Sequence, residues 1–206
     1  MKKQTLRMLA NILIAVLVPL AWAYMVFSRK DGTLSSTGLR SLRYFTVLSN
    51  LLEGACSILL LLSFRISRLR RAAEVGKYIA VVAVALTFST VMLALGPLYG
   101  YPGMFRGANF WFHLVIPLAA MAEYTLLGEA PMGNRENLWA VAPLLLYGAV
   151  YACVNLFSGP PYPFDMYGFM RWGLPAGLGV FALLTGLAFL LGLAMRKINR
   201  ALLRSR

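Results

Sequence analysis

Charged residues, histidine and cysteine are all scarce in this chain of 206 residues. Only 13% of the residues are charged and only seven are acidic, whereas about a quarter of an ordinary soluble domain is charged. The two cysteines, Cys56 and Cys153, lie inside apolar runs, which argues against a disulfide framework or a CxxC metal site. One histidine with two acids at different depths does not make a three-ligand zinc site. We therefore expect neither a metal nor another cofactor.

Long apolar runs are what the chain has instead. Hydrophobic residues make up 60% of it, and a helix needs about 20 apolar residues to span a bilayer. Six windows meet this length, at 6–27, 44–64, 78–98, 109–127, 138–157 and 172–195. The linkers between them are short. The sequence therefore predicts an all-α integral membrane protein, with residues 1–206 forming a single domain of six transmembrane helices.

The first window also fits a cleavable signal peptide. MKKQTLR precedes it, and Ala21-Trp22-Ala23 fits a cleavage site. The apolar stretch nevertheless continues to Phe27, which favours a first helix that stays in the protein.

Lysine and arginine are distributed unevenly between the two sides of the predicted bundle. The side that holds the N-terminus carries most of them, including the runs 65–77 and 196–206. Because basic residues are enriched on the cytoplasmic side, both termini are predicted to be cytoplasmic. This topology accounts for the net charge of +13. The basic residues lie between apolar runs rather than among aromatics on a polar face, so we expect no nucleic-acid partner.

Apart from Arg7 at the very start of the first window, three acidic or histidine residues lie within the windows, namely Glu53, His113 and Glu123. Each is costly to place in hydrocarbon, so each is expected to face the bundle interior and to have a partner. With a rise of about 1.5 Å per residue, Thr46 and His113 reach a similar depth near the outer end. The polar residues are thus concentrated in the outer half of the bundle.

Two stripes at helical spacing strengthen this pattern, because residues separated by three, four or seven positions share one face of a helix. The stripes are Thr46, Asn50 and Glu53 on the second window, and Asn109, His113 and Pro117 on the fourth. A further polar patch on the third window consists of Thr87, Ser89 and Thr90. We expect these faces to enclose a polar cavity that opens to the outer side.

A threonine hydroxyl beside a histidine fits nucleophilic catalysis, in which neutral His takes the proton from the attacking hydroxyl. Thr46 and His113 are the residues predicted for these roles. The spacing alone leaves two alternatives open: polar side chains that join helices, and a pathway for a ligand or an ion.

Other polar residues have supporting roles in this prediction. Those predicted to assist, as an oxyanion donor or otherwise, are Ser49, Asn50 and Asn109, with Asp165 as a third member of the catalytic group. Glu53 lies deeper and is either a proton relay or an acid kept neutral by burial. Glu123 lies near the inner rim, where we expect it to pair with an arginine.

The stretches RYFT (43–46) and NFWFH (109–113) resemble the family of androgen-induced protein 1 and androgen-dependent TFPI-regulating protein, together with its bacterial relatives. Those proteins have six spans and two cytosolic ends. The animal members are hydrolases of fatty-acid esters of hydroxy fatty acids, with a threonine nucleophile and a histidine partner. The resemblance implies that Thr46 and His113 have these roles, and it matches Glu123 to an acidic residue of the family.

The segment GPPYPFDMYGFM (159–170) follows the fifth window and is more similar to the bacterial branch. Its prolines exclude a helix interior. Its aromatic side chains either cap the mouth of the cavity or rest on lipid headgroups. The residues predicted at the mouth are Tyr162, Phe164 and Tyr167.

With the resemblance included, the leading hypothesis is an intramembrane lipid ester hydrolase in a bacterial cytoplasmic membrane, with a membrane lipid as its substrate. An acyltransferase would use the same Thr46 and His113. A lipid- or solute-binding protein, or a proton-coupled transporter, is the alternative without an enzymatic step. A proton-coupled carrier needs a polar path to both faces, which the polar residues of the outer half do not provide.

Overall fold

The computed structural model describes residues 2–28 and 38–204. It contains six helical segments that are long and apolar enough to cross a membrane, as expected of a multi-pass membrane protein. They are α1 (Lys2–Phe27), α2 (Phe45–Ser63), α3 (Ser67–Tyr99), α4 (Ala108–Leu127), α5 (Asn134–Ser158) and α6 (Leu174–Arg204). No strand occurs in the described ranges. The all-α fold and the presence of six helices of membrane-spanning length and hydropathy are therefore confirmed for the described residues.

The helix boundaries differ from the apolar windows mainly at one end of the bundle. There α3 begins at Ser67 rather than at residue 78, and α6 continues to Arg204 rather than to residue 195. A helix does not stop where hydrophobicity stops, because its backbone hydrogen bonds continue through any residue with adequate helix propensity. The basic residues in these two extensions, from Arg70 to Lys77 and from Arg196 to Arg204, are consequently helical too.

Two prolines explain local widening within α3 and α4. Segments of π-helix run over Val91–Leu95 and Trp111–Val115, and each is centred four residues before a proline, Pro97 or Pro117. Proline has no N–H for the carbonyl four residues earlier, and its ring crowds that carbonyl. His113 is the residue at the centre of the second segment. Such π-bulges occur frequently at functional sites.

Helix α3 lies at the centre of the bundle. Every residue from Val81 to Thr87 is buried, so the helix is covered on all sides, as expected of a central helix. It packs against α2, α4 and α6, while α1 packs against α2. Large apolar side chains such as Leu20, Leu146 and Leu183 are exposed on the outer helices. Their exposure suits a surface that faces lipid.

Candidate functional site

The first turn of α2 carries Thr46 and is held by the loop after α5. The backbone N–H of Phe45 donates to the Tyr167 hydroxyl at 2.9 Å, which satisfies one of the free donors at the helix start. The Tyr147 hydroxyl of α5 donates to the Arg43 carbonyl at 2.7 Å. Burial raises the pKa of Tyr167 well above its usual value, so its hydroxyl stays neutral. This end of the bundle, with the loops 38–44, 100–107 and 159–173, is called the loop end below.

Asn50 joins α2 to α4 at the level of the histidine. Its Nδ2 donates to the Thr46 carbonyl at 2.7 Å and to the Phe112 carbonyl at 3.1 Å. Phe112 precedes His113, so one amide group connects the turn of Thr46 with the turn of His113. The two predicted residues therefore lie on adjoining turns of neighbouring helices.

His113 is buried, with 3% of its surface exposed. Its Nδ1 lies 2.7 Å from the Met104 carbonyl oxygen. A carbonyl oxygen can only accept, so Nδ1 carries the hydrogen of the neutral ring and Nε2 keeps its lone pair. The imidazole is thus held in the tautomer in which Nε2 can accept a proton.

Two buried asparagines near this histidine have side-chain atoms without a hydrogen-bond partner in the described part of the chain. Asn109, one turn before it on α4, is fully buried, and neither its Nδ2 nor its Oδ1 has a hydrogen-bond partner in the described part of the chain. Asn50 Oδ1 also has none there. Buried amides are normally satisfied by protein or by water. These atoms mark a place where a water molecule or a polar ligand group would be bound.

The Thr46 hydroxyl is not joined to His113. Thr46 is only partly buried, and between residues 38 and 204 no hydrogen bond links its hydroxyl to the imidazole. Catalytic hydrogen bonds often form only when the substrate is bound. The structure therefore brings the two turns together and leaves the nucleophile–base contact as a prediction.

The other predicted assistants are already engaged. The Ser49 hydroxyl bonds to the Thr46 carbonyl at 3.0 Å and to the Thr87 hydroxyl at 3.1 Å. Asp165 accepts hydrogen bonds from the Tyr151 hydroxyl and from the Met170 N–H. No described hydrogen bond connects Asp165 to His113, whose Nδ1 binds the Met104 carbonyl instead. Asp165 thus organises the loop in which it lies.

An apolar cavity of about 420 Å³ lies on the α5 side of α2. It is not the polar cavity expected from the stripes, because neither Thr46 nor His113 lines it. Of the predicted mouth residues, Phe164 lines it, whereas Tyr167 packs on Tyr44 and Phe169. The lining residues are Leu42, Arg43, Phe45, Leu48, Ser49, Leu52, Pro143, Leu146, Tyr147, Val150, Tyr151, Val154, Asn155, Phe164 and Met166. The volume is in the range of small-molecule sites.

The opposite end of the bundle, called the N-terminal end, contains buried charge that the sequence reasoning missed. Arg7 Nη1 and Nη2 donate to the Glu74 carboxylate at 2.6 and 2.7 Å, and Arg7 Nε donates to Glu123 at 2.8 Å. Lys77 Nζ donates to Glu53 and, at 2.7 Å, to the Ser57 hydroxyl. All five charged residues are at most 2% exposed. The expected pairing of Glu123 with an arginine is confirmed.

These contacts correct two expectations. The assignment of Lys77 to a linker was wrong, because α3 starts early and carries Lys77 into the bundle. The concentration of polar residues in one half was also wrong, since buried polar groups occur in both. One signal was present in the sequence: Arg70, Glu74 and Lys77 have helical spacing and continue the third window.

Comparisons with known proteins do not identify the chain. No family model, curated protein or solved structure matches it significantly. Within the described ranges there is also no group of three or more His, Cys, Asp or Glu residues that could hold a metal ion.

Proposed function

We propose that the chain is an intramembrane hydrolase of lipid esters, with Thr46 as nucleophile and His113 as general base. The observation that carries the proposal is the state of His113, a buried imidazole whose Nε2 keeps its lone pair beside an unpartnered Asn109 amide. Asn50 connects this turn of α4 to the turn of Thr46.

The reaction has two steps. Thr46 Oγ attacks the ester carbonyl carbon while His113 Nε2 takes the hydroxyl proton. The same proton then goes to the leaving alkoxide, which departs as the alcohol and leaves an acyl-threonine. Water, with His113 again as base, cleaves the acyl-threonine to a carboxylic acid and regenerates the hydroxyl.

Asn109 is the better oxyanion donor of the two asparagines. Both hydrogens of Asn50 Nδ2 are used by the Thr46 and Phe112 carbonyls. Asn109 Nδ2 is buried without a partner in the described structure and can donate to a negatively charged oxygen without breaking a bond. Such preorganised donors stabilise the charge that develops on the ester oxygen.

The membrane setting belongs to the same proposal. Both termini face the cytoplasm of a bacterial cell, so the loop end faces outward. The ester group of a lipid lies near the headgroups while its chain stays in hydrocarbon. Thr46, at the start of α2, is at the corresponding depth, and water can reach an acyl-threonine from the outer side.

Covalent labelling tests the nucleophile. A fluorophosphonate probe should label the wild type and Thr46→Ser, but not Thr46→Ala, and His113→Ala should label far more slowly because the base is missing. Thr185→Ala is the matched control, since the Thr185 hydroxyl only bonds back to the Phe181 carbonyl at 2.7 Å. In-gel fluorescence of the purified proteins gives the result. Undiminished labelling of Thr46→Ala would refute the assignment.

Product analysis separates the hydrolase from the acyltransferase. With a long-chain fatty-acid ester and no added alcohol, we expect the free fatty acid to appear in amounts equal to the alcohol released. Mass spectrometry of both products measures this ratio. Acyl transfer to a second lipid alcohol, with little free acid, would assign the same residues to a transferase.

A further inference from the structure

The buried charges at the N-terminal end do not balance. The cluster combines Arg7 of α1, Glu53 of α2, Glu74 and Lys77 of α3, and Glu123 of α4. Three carboxylates thus face two cations. Including the half-exposed pair Arg70 and Glu129, which bonds at 2.5 Å, adds one charge of each sign. If every group is ionised, one negative charge is left over inside the bundle.

The contacts show where the excess charge lies. Glu74 receives two hydrogen bonds from Arg7 and has Arg70 Nε at 3.4 Å, so it is well compensated as a carboxylate. Lys77 remains between Glu53 and Glu123, bonded to the first and 3.6 Å from Oε2 of the second. Glu123 also accepts from Arg7 Nε at 2.8 Å, but Arg7 bonds to Glu74 as well. Arg7 and Lys77 together therefore face three carboxyl groups, and Lys77 is shared by two of them.

A second observation points to a missing positive charge at this place. Glu53 Oε2 and Glu123 Oε2 are both buried and have no hydrogen-bond partner in the described chain. A buried, unpartnered carboxylate oxygen costs several kcal/mol, and a group in this position usually becomes neutral. Protonation of either oxygen removes the excess charge.

Apart from Arg7, which bonds to Glu123 as well as to Glu74, the groups that pack around the pair supply no further cation in the described structure. Arg196 and Arg200 of α6 bond to the Asn134 side chain and the Met132 carbonyl, and no ion pair joins either arginine to the cluster among the described residues. The other titratable neighbours on these helices, Cys56, Tyr78 and Tyr124, are neutral side chains.

We propose that Glu53, Lys77 and Glu123 form a proton-binding site, in which one proton is shared by the two carboxyl groups while Lys77 stays charged. The site does not depend on the hydrolase reaction. Glu53 lies about two helical turns after Thr46 on α2, and Glu123 lies almost three turns after His113 on α4. The sequence left the role of Glu53 open. In this site Glu53 pairs with Lys77 and shares one proton with Glu123.

Infrared spectroscopy of the full-length protein in lipid nanodiscs at neutral pH tests this by counting protonated carboxyl groups. The wild type should show the carbonyl band of one buried carboxylic acid, shifted in D₂O. The band should vanish in Glu53→Gln, because Lys77 then balances Glu123 alone. It should double in Lys77→Met, because Arg7 alone then faces three buried carboxylates.

Two further variants serve as controls. Glu136→Gln removes a carboxylate that pairs with the exposed Arg71 and should leave the band unchanged. Glu123→Gln should abolish the band as Glu53→Gln does, so that one poorly folding variant does not decide the outcome. A wild type without the band, or a band that survives both glutamine variants, would overturn the proposal. A band seen only in sodium-free buffer would instead indicate a site for a metal cation.

Discussion

Replacing Arg7 with methionine should lower the free energy of unfolding by about 3–5 kcal/mol, the usual cost of removing one partner from a buried ion pair. Arg7 is fully buried and uses three nitrogens, Nη1 and Nη2 on Glu74 and Nε on Glu123. Methionine fills a similar space but leaves both carboxylates without this cation. Unfolding by SDS titration in mixed micelles measures the change.

The matched control is Arg71→Met. Arg71 pairs with Glu136 at the same end of the bundle, but its side chain is 57% exposed, and exposed pairs contribute at most about 1 kcal/mol. Equal SDS midpoints for the two variants would show that the buried network does not stabilise the fold.

Replacing Asn109 with alanine should lower kcat about 100- to 1000-fold with little change in KM, the usual effect of losing one oxyanion donor. The expectation follows from the unpartnered Nδ2 of Asn109. Because this donor acts on charge that exists only in the transition state, binding of the ester itself is hardly affected. Turnover of a chromogenic long-chain ester measures both constants.

Asn11→Ala is the control for the loss of a buried amide. Asn11 is fully buried on α1, donates to the Arg7 carbonyl at 2.9 Å and has an unpartnered Oδ1 in the described structure. The Asn11→Ala protein should lose about as much stability as Asn109→Ala but keep the wild-type kcat. An Asn109→Ala protein as active as Asn11→Ala would remove Asn109 from the catalytic group.

The polar residues show which features of the site helical spacing could predict and which it could not. Helical spacing correctly indicated that Asn50 and Glu53 face the interior, since both are fully buried. It could not show that both hydrogens of Asn50 Nδ2 go to backbone carbonyls, nor that the Asn109 side chain has no hydrogen-bond partner among the described residues. Spacing defines a face of one helix, whereas a hydrogen bond depends on the neighbouring helix and its rotation.

Asp165 and Lys77 illustrate the same limit. Asp165 lies in a loop at the same end of the bundle as His113, so it was a reasonable partner for the histidine. The fold of that loop directs its carboxylate to the Tyr151 hydroxyl and the Met170 N–H instead. A hydropathy window counts a lysine against a span, so Lys77 was assigned to a linker. Inside the bundle the cost of its burial is offset by Glu53 and Ser57.

By itself the sequence determined the architecture: six helices and no described strand follow from apolar runs long enough to cross a bilayer, where backbone groups must bond within the helix. Hydrophobicity is a property of each stretch of the chain, so apolar runs can be identified from the sequence without knowledge of how the helices pack. The tertiary structure alone decided the tautomer of His113, the unpartnered Asn109 amide and the excess carboxylate beside Lys77. The tautomer depends on the turn that brings the Met104 carbonyl back onto His113. The excess carboxylate depends on Glu53, Lys77 and Glu123, which lie far apart in the chain and come together only when the helices pack.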